Sequence, residues 1–422
     1  MSYTDKKILI ISHNPLSQVN NNGKTLASIF DGVPQEHIYQ IYLNHDSPDY
    51  SETCHYLQLN EKQIIGSVLK LKNLCCQEVC ATPGRVSSAV IRKSHFAIHT
   101  KRLLRECVWK FAIWKPKLKR WLSDKSFDVV FFMAGDGMFA YDVYRFVMKN
   151  ISAKGCLFFT DDYIIGKISR SLAASVRRKL LKRKIRKTLP IVRDLYVISD
   201  EMKAAYRQLL GVDSYVIRNF SVEKKENADE NRTEPSSDRL TMVYAGGLHY
   251  NRWKVLAQIA EALKEINRTE IGKCDLKIYS SQKLSDEIIE HLNLSGASEF
   301  CGAASASQIA DIYAKADILL HVESFDKKAM AATKYSFSTK IPEYLSAGKC
   351  VLAVGPEEVA SIRYLKNVAC VIHDSAELSS MLKRLIHDGA YRDLIRSACA
   401  EQYEKDFSRS KQKECLERIV SV

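Results

Sequence analysis

Read as apolar and polar positions, the first 220 residues repeat one theme: an apolar run closed by turn residues, then a longer stretch with apolar residues at helical spacing. The runs fall at residues 6–13, 127–135, 155–163, 194–200 and 214–220. Strands apolar on both faces that alternate with helices form parallel sheets covered on both sides, so the pattern predicts a doubly wound α/β domain. From 221 to 239 the texture changes to Glu, Asn, Ser and Lys with almost nothing to bury, which reads as a flexible linker.

Beyond it the alternation restarts. Apolar runs at LTMVYAGG, CDLKIYS, SEFCG, ADILLHVES, CVLAVGP and VACVIHD are separated by helical stretches, among them residues 253–267, QIADIYAKA, IPEYLSAG and ASIRYLK. This predicts a second doubly wound domain. The expected division is 1–220, a linker at 221–239, a second domain at 240–404, and a terminal helix at 405–422 that is a candidate to cross back to the first domain.

Composition narrows the class. With 46% hydrophobic and 27% charged residues among 422, neither global disorder nor a fibrous chain fits. No apolar run approaches the roughly 20 residues a bilayer crossing needs, and the polar start lacks a secretory pattern, so the expected place is the cytosol or the inner face of the cell membrane. Twelve scattered cysteines read as buried reduced thiols. The cluster Cys75, Cys76 and Cys80 has no second short motif to complete a zinc site, and no metal is expected there.

The net charge of +14 is concentrated in two places. Residues 91–122 mix Lys101, Arg102, Arg105, Lys110, Lys115, Lys117, Lys119 and Arg120 with Phe96, Trp109, Phe111, Trp114 and Trp121 against one acid, Glu106. Residues 177–187, RRKLLKRKIRK, contain no acid, and Leu172, Val176, Leu180 or Leu181, Ile185 and Leu189 mark an apolar stripe beside them. Such a helix either packs its stripe on its own domain or lies on an anionic membrane. Two basic stretches bearing aromatic or apolar residues favour membrane contact. No signature of a nucleic-acid reader accompanies them.

In open α/β sheets ligands bind at the carboxyl ends of strands, and five strand ends carry chemistry. VNNNGKTLASIF follows the first strand. It is not a nucleotide-triphosphate loop, because Gln18 stands where the leading glycine belongs, but Asn22 and Gly23 before a helix suit an anion or an ordinary turn equally. Asp161 and Asp162 pair two carboxylates at a strand end, fit for metal ligands, a general base, a hydroxyl clamp or a helix cap. In YAGGLHYNRWK, Gly246 and Gly247 permit close backbone approach, and Arg252 and Lys254 add charge at a helix start, which a diphosphate requires. Glu323 and Asp326 follow ADILL. Ser338, Thr339 and Lys340 open another helix, with Glu343 one turn on, able to accept from vicinal sugar hydroxyls.

STKIPEYLSAGKCVLA, with YAGGLHYNRWKVL upstream and VISDEMKAAYRQLLG and VIRNF before the linker, resembles bacterial glycosyltransferases of the GT-B fold, close to the retaining family 4 group and its polysaccharide-building members. The resemblance implies two Rossmann-like domains facing each other across a cleft, with a nucleotide-sugar donor held mainly by the second. It gives Glu343 the ribose hydroxyls, Arg252 with Lys254 or Lys340 the diphosphate, and Ser338 and Thr339 the helix-start amides. The family's second acid, eight residues before the ribose glutamate, is replaced here by Tyr335, and Glu323 is the candidate substitute for contacting the donor sugar.

Asp161 or Asp162 matches in location the first-domain residue that faces donor sugar and acceptor. The implied reaction moves a sugar to a hydroxyl of a glycan or lipid-linked acceptor in surface polysaccharide synthesis (capsule or lipopolysaccharide), with retention and without a metal ion. Were it inverting, Asp161 or Asp162 is the first base to test. The rival readings are a sugar-nucleotide epimerase or sugar phosphorylase on the same fold, or a non-catalytic nucleotide-binding protein at the membrane.

Overall fold

A computed structural model of the chain describes residues 3–18, 21–59, 64, 76–81, 98–166, 171–220, 239–270 and 273–421. They divide into two units: Met1–Asn219 with Gln412–Val422, and Phe220–Lys411. The stretch read as a linker lies outside the described residues up to position 238, as do Cys75 and residues 91–97 of the first basic stretch.

The first unit is built on β1 (Ile8–Ser12), β2 (Ile38–Tyr42), β3 (His55–Gln58), β4 (Gln77–Val79), β5 (Val129–Ala134), β6 (Lys154–Phe159), β7 (Asp194–Val197) and β8 (Tyr215–Val216). Their order in the sheet is β4-β3-β2-β1-β5-β6-β7-β8, parallel except for β3 with β4. All of β1 and β5 is buried, as unbroken apolar runs require. Around the sheet run α1 (Asn21–Phe30), α2 (Ile98–Phe111), α3 (Lys115–Leu122), α4 (Met138–Asn150), α5 (Leu172–Thr188) and α6 (Asp200–Leu210). Local chemistry sets their ends: the Ser199 hydroxyl accepts from the Met202 amide to start α6, and Gly211 at φ 74° closes it.

Three strands escaped the hydrophobic pattern. β2 carries Gln40 in its middle, and β3 and β4 are short and polar. Gln40 is fully buried because it is satisfied: its amide nitrogen donates to the Ser12 hydroxyl (2.8 Å) and the Asn14 carbonyl (3.1 Å), and its oxygen accepts from the Leu16 amide (2.8 Å). It fixes the loop after β1.

On α5 the buried stripe is Ala174, Arg177, Leu181, Ile185 and Thr188, whereas Leu172, Val176 and Leu180 face solvent. The expected apolar stripe is thus split, and an arginine sits in the packed face. The terminal helix Arg409–Val420 belongs with this unit from Gln412, whose amide donates to the carbonyls of Ser28 (2.7 Å) and Asp31 (2.9 Å).

The second unit has β9 (Arg239–Ala245), β10 (Lys273–Tyr279), β11 (Ser298–Gly302), β12 (Ile318–Val322), β13 (Cys350–Val354) and β14 (Cys370–Ile372), all parallel in the order β11-β10-β9-β12-β13-β14. Its helices are α7 (Arg252–Thr269), α8 (Asp286–Leu292), α9 (Ala306–Lys315), α10 (Lys327–Thr333), α11 (Lys340–Ser346), α12 (Ala360–Leu365), α13 (Leu378–His387) and α14 (Gly389–Asp406). The short α10 was not anticipated; the Asp326 carboxylate starts it by accepting from the amides of Lys328 (2.9 Å) and Ala329 (3.0 Å).

Each sheet reverses its strand order once, between β1 and β5 in the first unit and between β9 and β12 in the second. Such reversals open a crevice at the carboxyl ends. Among the described residues, no helix is long and apolar enough to cross a membrane, no disulfide is formed, and no three His, Cys, Asp or Glu side chains are grouped as metal ligands.

Candidate functional site

At the reversal point of the second unit, two motifs 71 residues apart in sequence meet. After β9 the chain runs through Gly246 and Gly247 to Tyr250 and Asn251, whose φ angles of 59° and 62° put two successive non-glycine residues in the left-handed region. For a tyrosine this is a strained geometry, of a kind that costs on the order of 1–3 kcal/mol and clusters at functional sites. The turn delivers Arg252 at the first position of α7, facing the end of β12.

There the Arg252 Nη2 donates to both oxygens of Glu323 at 2.9 Å, and Nε reaches Oε2 at 3.3 Å. The side chains are 15% and 4% exposed, so this is a buried, forked ion pair. Burial pushes the Glu323 carboxyl above the ordinary carboxylate range while Arg252 pulls it back. Burial likewise opposes the charge on Arg252, and the Glu323 carboxylate outweighs it.

Two histidines that the sequence reading passed over complete the cluster. His249 Nε2 lies 3.2 Å from Arg252 Nη1. His321 Nε2 lies 3.6 Å from Glu323 Oε1, and its pKa is lowered to about 3 by burial and then by Arg252, so it is a neutral neighbour rather than a third charge. Both lie inside stretches already singled out, YAGGLHYNRWK and ADILLHVES, and nearness to a strand end was the available signal.

The pairing changes the expectation for Glu323. Placed as a substitute acid for the donor sugar, it instead spends both oxygens on Arg252 and positions that guanidinium. Gly246 and Gly247 are glycines for a local reason: a Cβ on Gly246 would lie 2.9 Å from the Tyr244 hydroxyl, and one on Gly247 would lie 2.6 Å from the His249 ring. The Tyr244 hydroxyl donates to the Gly247 carbonyl at 2.8 Å and ties the turn down.

In the same unit, Lys340 Nζ pairs with Glu343 Oε2 at 3.0 Å across one turn of α11. The Ser338 hydroxyl accepts from the Lys340 amide (3.3 Å), and the Ser338 amide donates to Ser361 Oγ (2.9 Å), so Ser338 stitches the helix start to α12. Thr339 precedes α11 without a side-chain cap bond. A cavity of about 460 Å³, lined by Lys254, Gln258, Ser324, Asp326, His373 and Asp374 among others, opens beside the Arg252–Glu323 pair; of the residues singled out in the sequence, Lys254 and Asp326 line it.

The first-unit candidates are more structural than expected. Gly23 is the third residue of α1, and a Cβ there would lie 2.5 Å from the Pro15 carbonyl oxygen and 2.7 Å from Ser17 Cβ, so the chain's own loop fills the space that a phosphate cradle would need. Asp162 accepts from the amides of Ile164 (3.0 Å), Ile165 (2.9 Å) and Gly166 (2.5 Å) and from the Tyr206 hydroxyl (3.4 Å). Its carboxylate holds the loop after β6.

Comparison with known proteins decides the class of the second unit. Residues 239–388 match the family model described as glycosyl transferases group 1. The second unit carries a group 1 glycosyltransferase domain. A search of curated proteins by sequence returns no match. Among solved structures, this glycosyltransferase is similar over 99% of its length to a UDP-forming α,α-trehalose-phosphate synthase from Burkholderia xenovorans (TM-score 0.63, 9% identity, 100% of that chain covered). It is likewise similar over 99% to the Anabaena protein HepE in complex with UDP and glucose (0.63, 12%, 100%) and to a glycosyltransferase from Rickettsia africae (0.60, 13%, 99%). At such identities the likeness establishes the fold, which is GT-B: two parallel-sheet α/β units.

Proposed function

We propose that this glycosyltransferase moves a hexosyl group from a nucleoside diphosphate sugar to a hydroxyl of a glycan or lipid-linked acceptor, with retention of configuration and without a metal ion. The observation that carries the reading is the Arg252–Glu323 pair at the sheet reversal of a group 1 glycosyltransferase domain. A guanidinium fixed in place before the ligand arrives is what a leaving diphosphate needs, since preorganised charge stabilises the transition state without reorganising.

In the reaction the bond between the anomeric carbon and the diphosphate oxygen breaks, and its electron pair stays on that oxygen. Arg252 and Lys340 offset the developing charge. The acceptor hydroxyl attacks the same face and passes its proton to the departing phosphate oxygen, so no dedicated base is required. Glu343, whose one oxygen accepts from Lys340, takes the ribose hydroxyls. Two of the similar structures carry UDP in their descriptions, one as the product and one as a bound ligand, which makes a UDP-sugar the first donor to test. Acceptor-dependent release of UDP supports the reading; isomerisation of the sugar nucleotide with no acceptor present supports an epimerase instead.

The reading extends to the membrane surface in polysaccharide synthesis. Leu104, Phe111 and Ile113 at α2 and Leu172, Val176 and Leu180 on α5 are exposed apolar side chains among lysines and arginines. Such a surface suits an anionic bilayer, where each cation contributes about 1 kcal/mol. Replacing Lys179, Lys182, Arg183 and Lys187 with Gln is expected to release the protein from anionic vesicles at moderate salt, and undiminished binding would sink this part of the proposal.

A further inference from the structure

Three arginines converge where β1 and β5 diverge in the first unit, at the sheet position equivalent to that of the Arg252 site in the second. Asp136, between Gly135 and Gly137 just past β5, pairs with Arg102 of α2 at 2.6 Å and with Arg177 of α5 at 2.8 Å. Arg177 also donates to the Asp136 carbonyl, and its residue is only 7% exposed. Arg105, one turn beyond Arg102, lies 5.0 Å over the Phe139 ring. Glu106 is committed elsewhere: its two oxygens accept from the amides of Met138 (2.8 Å) and Phe139 (2.9 Å) and start α4.

Against these cations sits His13, the first residue past β1. Its ring lies so close to the turn that a Cβ on Gly135 would come within 2.5 Å of it and one on Gly137 within 3.0 Å. His13 Nε2 and Arg177 Nε are shielded from solvent and have no hydrogen-bond partner among the described residues. Burial and then Arg105 lower the His13 pKa to about 4, with Arg177 and Arg102 adding to the fall and Asp136 alone opposing it. The ring is therefore neutral, and the local field is positive.

One arginine would neutralise Asp136. Three guanidiniums against the two carboxylates of Asp136 and Glu106, with a buried Arg177 donor left unused among the described residues, leave one positive charge over at a strand-end crevice. Guanidinium forks match phosphoryl oxygens, two bonds at a time.

We propose that Arg102, Arg105 and Arg177 seat a phosphoryl group carried by the acceptor, either a soluble sugar phosphate or a phosphate-linked lipid. This rests on the transferase reading above for the word acceptor, but the anion site itself does not. Arg102, whose side chain is 42% exposed, forms the open side, and Arg177 forms the floor. Asp136 holds the two in register until the ligand takes over part of their hydrogen bonding.

The test is direct binding to the full chain by calorimetry, with glucose 1-phosphate as the soluble probe and vesicles containing phosphatidic acid as the membrane-borne one. Arg102→Gln and Arg105→Gln, at half-buried positions that leave Arg177 to satisfy Asp136, are each expected to weaken binding about tenfold or more, whereas Arg268→Gln on the exposed surface of the second unit leaves it within about twofold. Weakening with the soluble probe identifies a sugar phosphate, and weakening with vesicles alone identifies a lipid-borne phosphate; either supports the site. Binding of neither probe, binding unchanged by both first-unit substitutions, or binding weakened as much by Arg268→Gln overturns it. If the first-unit variants lose the probe but no sugar transfer is found with any donor, the anion site stands and the transferase reading falls.

Discussion

The pair between Arg252 and Glu323 makes the sharpest prediction. Glu323→Ala leaves a guanidinium with 15% of its side chain exposed and no carboxylate against it, in place of three nitrogen–oxygen contacts of 2.9, 2.9 and 3.3 Å. Breaking a buried pair by removing one partner costs about 3–5 kcal/mol, because the surviving charge stays desolvated. For a unit of this size that corresponds to a fall of about 6–20 °C in melting temperature. The double replacement Arg252→Met with Glu323→Leu removes both charges, and it should recover most of the lost stability, since apolar substitutes for buried pairs are often neutral. It should recover none of the donor binding. Differential scanning calorimetry with and without UDP reads both quantities. A Glu323→Ala protein that melts with the wild type would refute the pair, and a double variant that still binds UDP normally would refute the role given to Arg252.

Other outcomes follow from the same geometry. Glu343→Ala should raise the KM for donor about 10- to 100-fold with kcat little changed, since a charged acceptor for ribose hydroxyls contributes about 1.5–3 kcal/mol; initial-rate kinetics decide. His13 and His321 are buried neutral, with pKa values lowered to about 4 and about 3, whereas the unfolded chain protonates each near pH 6.5. Their contribution to stability is therefore complete above about pH 6.5 and is lost as pH falls towards those values, at about 1.4 kcal/mol per pH unit for each. Urea titrations at pH 7 and pH 5 should show an acid loss smaller by about 2 kcal/mol in His321→Gln than in wild type, and equal losses would contradict the assignment. Asp162→Ala should destabilise the first unit by about 1–3 kcal/mol through the orphaned loop amides without removing the acid limb from the pH–rate profile.

Much of this architecture is legible in the sequence because parallel strands buried on both faces leave uninterrupted apolar runs. β12 and β13 of the second unit, buried at every position, announce themselves in that way, whereas β10 alternates and β11 has no buried residue, so those two are legible only from the turn residues and helices around them. β2 does not, because a polar Gln40 occupies its centre, and only the loop that Gln40 satisfies makes sense of it. The strand-end rule found Arg252, Lys340, Glu343 and Glu323 one by one. It could not find that Arg252 and Glu323 hold each other, since their contact depends on β9 and β12 being neighbours in the sheet. Arg177 was hidden for the opposite reason: in a run of eleven residues dominated by cations, nothing local distinguishes the one that turns inward to Asp136. Gly23 misled because a glycine before a helix looks the same whether its open face meets a phosphate or the chain's own Pro15 and Ser17.

The central claim is that Arg252 stabilises a leaving nucleoside diphosphate. It is tested most directly by measuring nucleoside diphosphate release from UDP-, GDP- and dTDP-sugars in the presence of acceptor, for the wild type and for Arg252→Gln of verified fold. The account predicts turnover with at least one donor and a loss of about 100-fold or more in the variant, equivalent to about 2.7 kcal/mol of transition-state stabilisation. No release from any donor, or equal rates in the two proteins, would contradict it.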